Sequence, residues 1–207
     1  MLGAAHERLV YRRRIRVLAH HLAQLLPSDA SVLDVGSGDG LLARRIMDAR
    51  SDVAITGVDV LARPTAHIPV RPFDGVVLPF TDAEFDVVMM IDVLHHASQQ
   101  DALLREVARV AKRRVVIKDH FVRGLLARPT LRLMDWVGNV HHGVALPYSY
   151  WTPDRWERAF ANAGLRMVEQ RARLGLYPWP ASLAFERGLH FVATLEPAAT
   201  RRPAVAS

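Results

Sequence analysis

The 207-residue sequence contains no cysteine. This absence excludes disulfide bonds, thiolate nucleophiles and cysteine-ligated zinc or iron–sulfur centres. The sequence also lacks an apolar run of roughly 18 residues, the length that a membrane-spanning helix requires. Its arginine-rich N-terminus is not followed by the apolar segment of a secretory signal peptide. We therefore expect a cytoplasmic protein without a transmembrane segment, for which peripheral contact with a membrane stays open.

Lysine is scarce as well, because Lys112 and Lys118 are the two lysines among 27 basic residues. The formal net charge of +6 is compatible with nucleic acid or an anionic membrane as a partner. Apart from a cluster at residues 8–16, however, the arginines are scattered, which is more typical of genomic base composition than of a binding surface. We expect no nucleic acid partner. A hydrophobic content of 50% excludes a disordered chain.

The hydrophobic pattern predicts alternating helices and strands up to residue 120. Helical spacing of apolar residues indicates helices over residues 5–26, from residue 40 onward, and over residues 99–111. Apolar runs bounded by turn residues indicate strands at residues 31–35, 53–58, 85–91 and 114–118, and a proline-rich loop lies between the second and third of these. Because the strands are apolar on both faces, the pattern favours a doubly wound α/β fold with a mostly parallel sheet.

The C-terminal part of the chain has a different organisation. Residues 121–152 form a long connection, which is unusual for an ordinary loop. Thr152 and Pro153 have the residue types of an N-cap and a first helical position, so they predict a helix to about residue 163. Two further segments, residues 165–171 and 189–195, look like strands that pair antiparallel. We predict one domain over residues 1–207, divided into segments 1–27, 28–120, 121–152, 153–195 and a tail at 196–207.

Acidic residues follow or end each of the four predicted parallel strands. They are Asp34, Asp59, Asp92 and Asp119. In open α/β sheets the functional site lies outside the carboxyl ends of the strands. Any one of these carboxylates is explained as well by the capping of a helix or turn. Together, and beside a glycine-rich turn, they indicate a polar site.

Glycines at positions 36, 38 and 40 form the turn that follows the first strand. The helix that follows presents free N–H groups and the positive end of its dipole, which suits a small anionic group. The spacing G-x-G-x-G differs from the dinucleotide fingerprint G-x-G-x-x-G. Asp34 stands two residues before the first glycine, where it can hold an ammonium group, and Asp59 suits ribose hydroxyls. S-adenosylmethionine combines both groups.

Several segments match one known family in the same order. They are Val32–Gly40, Gly57–Val60, Phe73–Gly75 with Leu78–Phe80 and Phe85–Val88, Asp92–His96 and Thr152–Leu165. With these segments the sequence resembles the class I S-adenosylmethionine-dependent methyltransferases, and most of all the small-molecule branch that includes the ubiquinone/menaquinone C-methyltransferases. The resemblance implies a Rossmann-like, mostly parallel seven-stranded sheet with an antiparallel C-terminal hairpin and an insertion after the fifth strand. One departure is Ala111–Arg114, where the family usually has a Pro-Gly-Gly-like turn.

The resemblance also implies roles for the matched residues in binding the cofactor, S-adenosyl-L-methionine. Asp34 and the turn would hold the methionine end, Asp59 the ribose, and Asp74 the adenine amino group. Ile91 and Asp92 would lie near the sulfonium. The complete set of implied cofactor residues is Asp34, Gly36, Ser37, Gly38, Gly40, Asp59, Val60, Phe73, Asp74, Gly75, Ile91 and Asp92.

Methyl transfer from a sulfonium needs an aligned nucleophile and, for a hydroxyl, amine or acidic carbon, a base. Candidate bases are Asp92, His95, His96, Asp119, His120, His141 and His142. Of these we predict catalytic roles for Asp92, His96 and His120, and we expect no metal ion. Aromatic residues in the long connection and near residues 177–179 favour a small, hydrophobic or aromatic methyl acceptor.

Other classes of protein fit the sequence less well. An NAD(P)-dependent reductase would show a different glycine spacing and a Tyr-x-x-x-Lys motif, which Tyr148 and Tyr150 do not begin. A methyltransferase acting on nucleic acid bases would carry an Asn-Pro-Pro-Tyr-like motif where Asp92–His95 stands. A homologue that binds the cofactor without turnover stays open.

Overall fold

In the computed structural model the backbone is described for residues 2–61, 63–139 and 147–198, and the side chains for residues 11–61, 63–137 and 147–198. Helices, strands and one 3-10 turn alternate along the chain. The helices are α1 (Leu2–Leu25), α2 (Leu41–Ala49), α3 (Gln100–Val110), α4 (Ala127–Asn139), α5 (Pro153–Asn162) and α6 (Ala181–Phe185). The strands are β1 (Ser31–Val35), β2 (Ala54–Asp59), β3 (Val70–Pro72), β4 (Phe85–Ile91), β5 (Ala111–His120), β6 (Leu165–Arg171) and β7 (His190–Pro197).

The seven strands form a single mixed sheet in the order β3-β2-β1-β4-β5-β7-β6. The first five strands pair in parallel, whereas β7 pairs antiparallel with both β5 and β6. This topology confirms the predicted doubly wound fold with an antiparallel C-terminal hairpin. Since β1 has β2 on one side and β4 on the other, the strand order reverses at β1. The carboxyl ends of these strands are therefore the expected position of a ligand site.

Both faces of the sheet are covered by apolar side chains, and β4 contributes to both. Val88 and Met90 belong to the cluster that packs with α3 and α5, while Val87 and Met89 belong to the cluster that packs with α1 and α2. Alternate residues of a strand point to opposite faces, so an apolar run without alternation is the pattern of a strand buried on both sides. A third, smaller cluster joins the inner face of α4 to Tyr150 and Leu189.

Three elements were not predicted from the sequence. The segment interpreted as a proline-rich loop contains β3, which has three residues and borders only β2. The long connection contains α4, whose Pro129 stands in the first turn, where no backbone N–H is needed for the helix. The segment before β7 contains the short helix α6. A strand or helix this short leaves little periodicity in the sequence, and Pro129 resembles a helix breaker.

The start and the end of helix α5 were predicted from residue types, and both are confirmed. Thr152 is the N-cap of α5, and its side chain accepts a hydrogen bond from the backbone N–H of Arg155. Gly164 ends the helix region with a positive φ of 69°. Of the predicted strands in this part, the first matches β6, and the second extends as β7 to Pro197, two residues beyond its predicted end.

Candidate functional site

The glycine-rich turn after β1 is fastened to the end of β2. The backbone N–H groups of Gly36 and Ser37 both donate to the carbonyl of Val58, at 2.8 and 3.1 Å. Gly36 has a φ of 72°, and a Cβ added there would lie 2.5 Å from Val93 Cγ2. Gly38 also has a positive φ of 60°, but a Cβ there would meet no protein atom within 4 Å. Gly36 is thus required by the fold, whereas Gly38 leaves space open in front of the turn.

Asp59, at the end of β2, is hydrogen-bonded to the backbone of this turn. One of its carboxylate oxygens accepts from the N–H of Gly38 and the other from the N–H of Leu61, each at 2.8 Å. Asp34 lies nearby and is buried. Burial, together with the negative charge of Asp59, raises the pKa of Asp34 to about 7. A cationic ligand group would favour the ionised form of Asp34, so the chemistry of this pair fits an ammonium or sulfonium ion.

Two adjoining cavities lie over the carboxyl ends of the strands. The larger has a volume of about 560 Å³ and extends from Gly38 past Ile91 and Asp92 to the histidines of the site. The smaller, of about 110 Å³, includes Gly38, Asp59 and Val70. Gly38 lines both cavities, so they lie next to each other at the glycine-rich turn.

The segment with Phe73, Asp74 and Gly75 lies at the edge of this site. Phe73 donates its backbone N–H to the carbonyl of Asp59 at 3.2 Å, which places it directly beside the smaller cavity. Asp74 is exposed, and its Oδ1 accepts from the backbone N–H groups of Val76 and Val77. Hydrogen bonds from these two N–H groups lower the pKa of Asp74. Gly75 faces Val60, since a Cβ on the glycine would lie 3.1 Å from Val60 Cγ1.

A buried ionic network closes the other end of the large cavity. Asp92 accepts hydrogen bonds from both Arg14 of α1 and Lys118 of β5. Burial alone would raise the pKa of Asp92, but the positive charges of Lys118 and Arg14 hold it well below its usual range. Lys118 has no exposed surface, and burial lowers its pKa despite the attraction of Asp92. Asp92 is therefore ionised and paired, which makes it a poor acceptor for a substrate proton.

His95 connects the core to the long insertion. Its Nδ1 lies 2.7 Å from Asp119 Oδ1 on β5, and its Nε2 lies 3.5 Å from Asp135 Oδ2 on α4. Burial would lower the pKa of His95, but the carboxylates of Asp119 and Asp135 raise it to about 10. The imidazole is thus a cation at neutral pH. Asp135 also accepts a hydrogen bond from the hydroxyl of Tyr150. The ring of Tyr150 stacks on the imidazole of His95, with centroids 5.6 Å apart.

His120 has the opposite electrostatic environment. It is buried, and its Nδ1 lies 3.3 Å from Asp119 Oδ1 and 3.7 Å from Asp92 Oδ1. Burial and the nearby charge of Lys118 lower its pKa below 6.5, so it is neutral at pH 7. His120 and the half-buried His96 both line the large cavity. His120 therefore combines a neutral imidazole, an adjacent carboxylate and access to the cavity.

The histidines also form groups that could coordinate a metal ion. Ligand atoms of His95, Asp119 and His120 lie within 4.8 Å of one another, and so do those of His95, His96 and Asp135. Both groups depend on His95, so a metal ion there would have to displace the proton that the raised pKa places on this imidazole. A cation would also face Lys118, which contacts Asp92 next to the first group.

Sequence reasoning found part of this site. The structure brings Asp34, Asp59, Asp92, His96 and His120 to one edge of the sheet, as predicted. It adds four buried or half-buried partners that the sequence analysis did not select: Arg14, Lys118, Asp135 and His190. A signal existed for Lys118, since a lysine that follows Val115-Val116-Ile117 in a buried strand requires a partner. His141 and His142 lie outside the described residues.

Comparison with known proteins adds independent information. A family model described as a methyltransferase domain matches residues 8–170. The 27-O-demethylrifamycin SV methyltransferase of Amycolatopsis mediterranei is 32% identical over 110 residues, which cover 46% of this chain and 40% of that protein. The demethylmenaquinone methyltransferase of Tropheryma whipplei is 34% identical over 90 residues, which cover 39% and 37% of the two chains. The matched segments thus span less than half the length of these relatives.

A solved structure shows the same fold over most of the chain. The 1,6-didemethyltoxoflavin-N1-methyltransferase of Burkholderia thailandensis superposes with a TM-score of 0.63 at 19% sequence identity. The similarity covers 89% of this chain and 78% of that one. That protein was solved with 1,6-didemethyltoxoflavin and S-adenosylhomocysteine bound.

The raised pKa of Asp34 predicts a stabilising substitution. Its pKa is 3.8 in an unfolded chain and about 7 in the fold, so the folded state binds the proton more tightly. The free energy of unfolding then falls by about 4 kcal/mol as the pH rises from about 4 through 7. We expect Asp34→Asn to be more stable than the parent at pH 8 and nearly equal to it at pH 4, measured by urea denaturation. Equal stability at both pH values would contradict the assignment.

His95 predicts a second pH dependence, in a different window. With a pKa of about 10 in the fold and 6.5 unfolded, its contribution is complete below pH 6.5 and is lost as the pH rises through 10. His95→Gln leaves two buried carboxylates without their cation, which typically costs about 3–5 kcal/mol. We expect the difference between parent and variant in urea denaturation to be largest at pH 6.5 and to shrink toward pH 10. The exposed His67→Gln serves as the control, and a pH-independent difference would refute the cationic state.

Proposed function

Because this chain belongs to the methyltransferase-domain family, whose cofactor is S-adenosylmethionine, we propose that it transfers the methyl group of that cofactor to a small, hydrophobic or aromatic acceptor. The observation that carries this proposal is the pair of adjacent cavities that share Gly38, one lined by Asp59 and the other by His120. Membership of this family leaves the alternative of an NAD(P)-dependent reductase without support.

The residues around the turn fit the cofactor. Asp34 would face its cationic methionine end, the backbone of Gly36 to Gly38 would lie along it, and Asp59 would accept from ribose hydroxyls. Bound there, the cofactor supplies an activated methyl group. We assign residues 28–120 to cofactor binding and residues 121–152 to the acceptor side of one domain.

The remaining cofactor residues from the sequence analysis follow from their places around the same cavities. Ser37 and Gly40 complete the turn, and the backbone N–H of Gly40 donates to the Ser37 carbonyl at 2.9 Å. Ile91 lines the large cavity. Val60, Phe73, Asp74 and Gly75 form the rim on the side of Asp59, where the adenine would lie.

His120 is suited to accept the proton that the methyl acceptor loses. When Nδ1 carries the imidazole hydrogen and faces Asp119, the lone pair of Nε2 is left to accept a proton. When the acceptor is methylated by the bound cofactor, His120 would take up the proton that the acceptor loses. Asp119 then stabilises the imidazolium. His96 lines the same cavity and is the second candidate for the base, whereas Asp92 orders Arg14 and Lys118 beside the site.

The acceptor side of the cavity is built by α1 and α4. Ile15 and Leu18 contribute apolar surface from α1, and Met134 contributes it from α4. The aromatic ring of Tyr150 packs behind His95 and His120. These surfaces support an acceptor with a substantial apolar or aromatic part. The two curated relatives, which are named for the methylation of 27-O-demethylrifamycin SV and demethylmenaquinone, support a small-molecule acceptor.

A pair of glycine substitutions tests cofactor binding. Gly38→Ala adds a Cβ into the open space before the turn, whereas Gly164→Ala imposes a similar positive-φ strain at a site with no neighbour within 4 Å. Each should cost about 1 kcal/mol in stability. We expect Gly38→Ala to weaken S-adenosylhomocysteine binding at least about tenfold, that is by 1.4 kcal/mol or more, and Gly164→Ala to leave it unchanged, by calorimetric titration. A parent chain that binds NADPH but no adenosyl ligand would overturn the proposal.

A pair of histidine substitutions tests the base. With an acceptor found by screening phenols and quinones, we expect His120→Gln to lower kcat by about 10²–10⁴-fold, the usual range for a general base. Affinity for S-adenosylhomocysteine should hardly change, and His96→Gln should have a much smaller effect. In the parent, kcat should rise with pH to a plateau below pH 7, because only neutral His120 accepts a proton. A large loss with His96→Gln alone would transfer the role to His96.

A further inference from the structure

We infer that the solvent-facing side of α4 docks onto an anionic lipid membrane. This docking face consists of Leu133, Trp136 and Val137 on α4 and of Leu125 and Leu126 in the turn that precedes it, five large apolar residues that are all exposed. Leu125 is the extreme case, with 99% of its surface accessible. Single exposed apolar residues are normal, but a group of this size on one helix and its preceding turn marks an interaction site.

The helix geometry shows that Leu126, Leu133 and Val137 share one side of α4 and of the turn that leads into it. Thr130 donates its backbone N–H to the carbonyl of Leu126, so the helical repeat begins at Leu126. From there, Leu133 and Val137 follow at spacings of seven and four, which keeps them in register. Ala127 and Leu131 point to the opposite side and are buried. A helix on the surface of a protein normally has a polar outer face, whereas the exposed residues of α4 include three large apolar side chains, Leu133, Trp136 and Val137.

The segment around α6 extends this face. Trp179 and Leu183 are exposed, with 80% accessible surface for Trp179. Arg187 follows α6 and donates a hydrogen bond to Thr130 Oγ1 on α4 at 2.9 Å. This bond fixes the end of α6 beside α4, next to the docking face. Two separate segments of the chain thus present large apolar side chains in the same region.

The charges around the docking face select an anionic partner. Arg123, Arg128, Arg132 and Arg187 are all exposed in these segments. Residues 121–137 and 179–188 contain two carboxylates, Asp135 and Glu186, which do not neutralise the exposed arginines. Asp135 is buried against His95, and Glu186 accepts a hydrogen bond from the backbone N–H of Tyr177. Apolar insertion flanked by arginines is the usual combination for binding at the surface of an anionic membrane. A symmetric contact with a second copy would instead bring arginines together.

Docking in this orientation would place the cavity at the membrane. Met134 and Asp135, on the inner side of α4, line the large cavity, so one helix separates the cavity from the docking face. A lipid-dissolved acceptor would then have a short path to the site. This consequence rests on the proposed function, whereas membrane binding itself does not.

Vesicle flotation with the full chain tests the inference. We expect binding to vesicles that contain phosphatidylglycerol, much weaker binding to pure phosphatidylcholine, and a loss of binding at high salt. Emission from Trp136 and Trp179 should shift to shorter wavelengths and be quenched by brominated lipid. Titration of the same preparation with S-adenosylhomocysteine reports the cofactor site separately, so failure of either proposal is recognised by itself.

Two matched pairs of variants locate the contact. Val137→Asn should weaken vesicle binding about tenfold, whereas Val168→Asn, at an equally exposed valine on β6, should not. Arg128→Glu changes the charge by two units and should weaken vesicle binding about fivefold for each unit. Arg105→Glu on α3 makes the same change in charge and should have a small effect. Circular dichroism checks that all four variants are folded. Absence of binding to phosphatidylglycerol vesicles, equal effects of test and control variants, or a dimer that buries Trp136 without vesicle binding would overturn the inference.

Discussion

The buried ion pair between Asp92 and Lys118 is the interaction on which the organisation of the site depends. Lys118 follows the apolar run Val115–Ile117 of β5 and has no exposed surface, so its charge requires a carboxylate within reach. Asp92 supplies it and also binds Arg14 of α1. On the other side of β5, Asp119 binds His95, which in turn faces Asp135 of α4. Three carboxylates are thus balanced by three cations. The network fastens α1 and α4 over the carboxyl ends of the strands, where both helices contribute to the wall of the large cavity.

The same network shifts the pKa values of two neighbouring histidines in opposite directions. His95 and His120 have ring centroids 4.9 Å apart, yet the pKa of His95 is raised to about 10 and that of His120 is lowered. His95 faces two carboxylates, whereas His120 is buried beside Lys118. Pairs of titratable groups whose environments push their pKa values apart are a general sign of divided roles. Both imidazoles line the large cavity, and their different charge neighbours make His95 a cation and leave His120 neutral.

Helix α4 connects this network to the outside of the molecule. Its inner side contributes Asp135 to the ionic network and Met134 to the cavity wall, and its outer side presents Trp136 and its apolar neighbours. No helix in the described residues is both long and apolar enough to cross a membrane. A membrane contact through α4 would act on the same helix that contributes Met134 and Asp135 to the cavity wall.

The sequence by itself determined the alternation of strands and helices, the glycine-rich turn, the carboxylates at the strand ends and the family, because these features depend on local spacing and residue type. Runs such as Val115-Val116-Ile117 predict a buried strand wherever they occur, and Thr152 predicts a helix start. Only the tertiary structure decided which charges meet. Arg14 and Asp92 are 78 positions apart, and His95 and Asp135 are 40 positions apart, so no local pattern relates them. Neither did the sequence reveal α4, because Pro129 resembles a helix breaker and the helix is stabilised by packing on Tyr150 and Leu189. The protonation states of the histidines follow from those long-range contacts, since burial and neighbouring charges set a pKa and both exist only after folding.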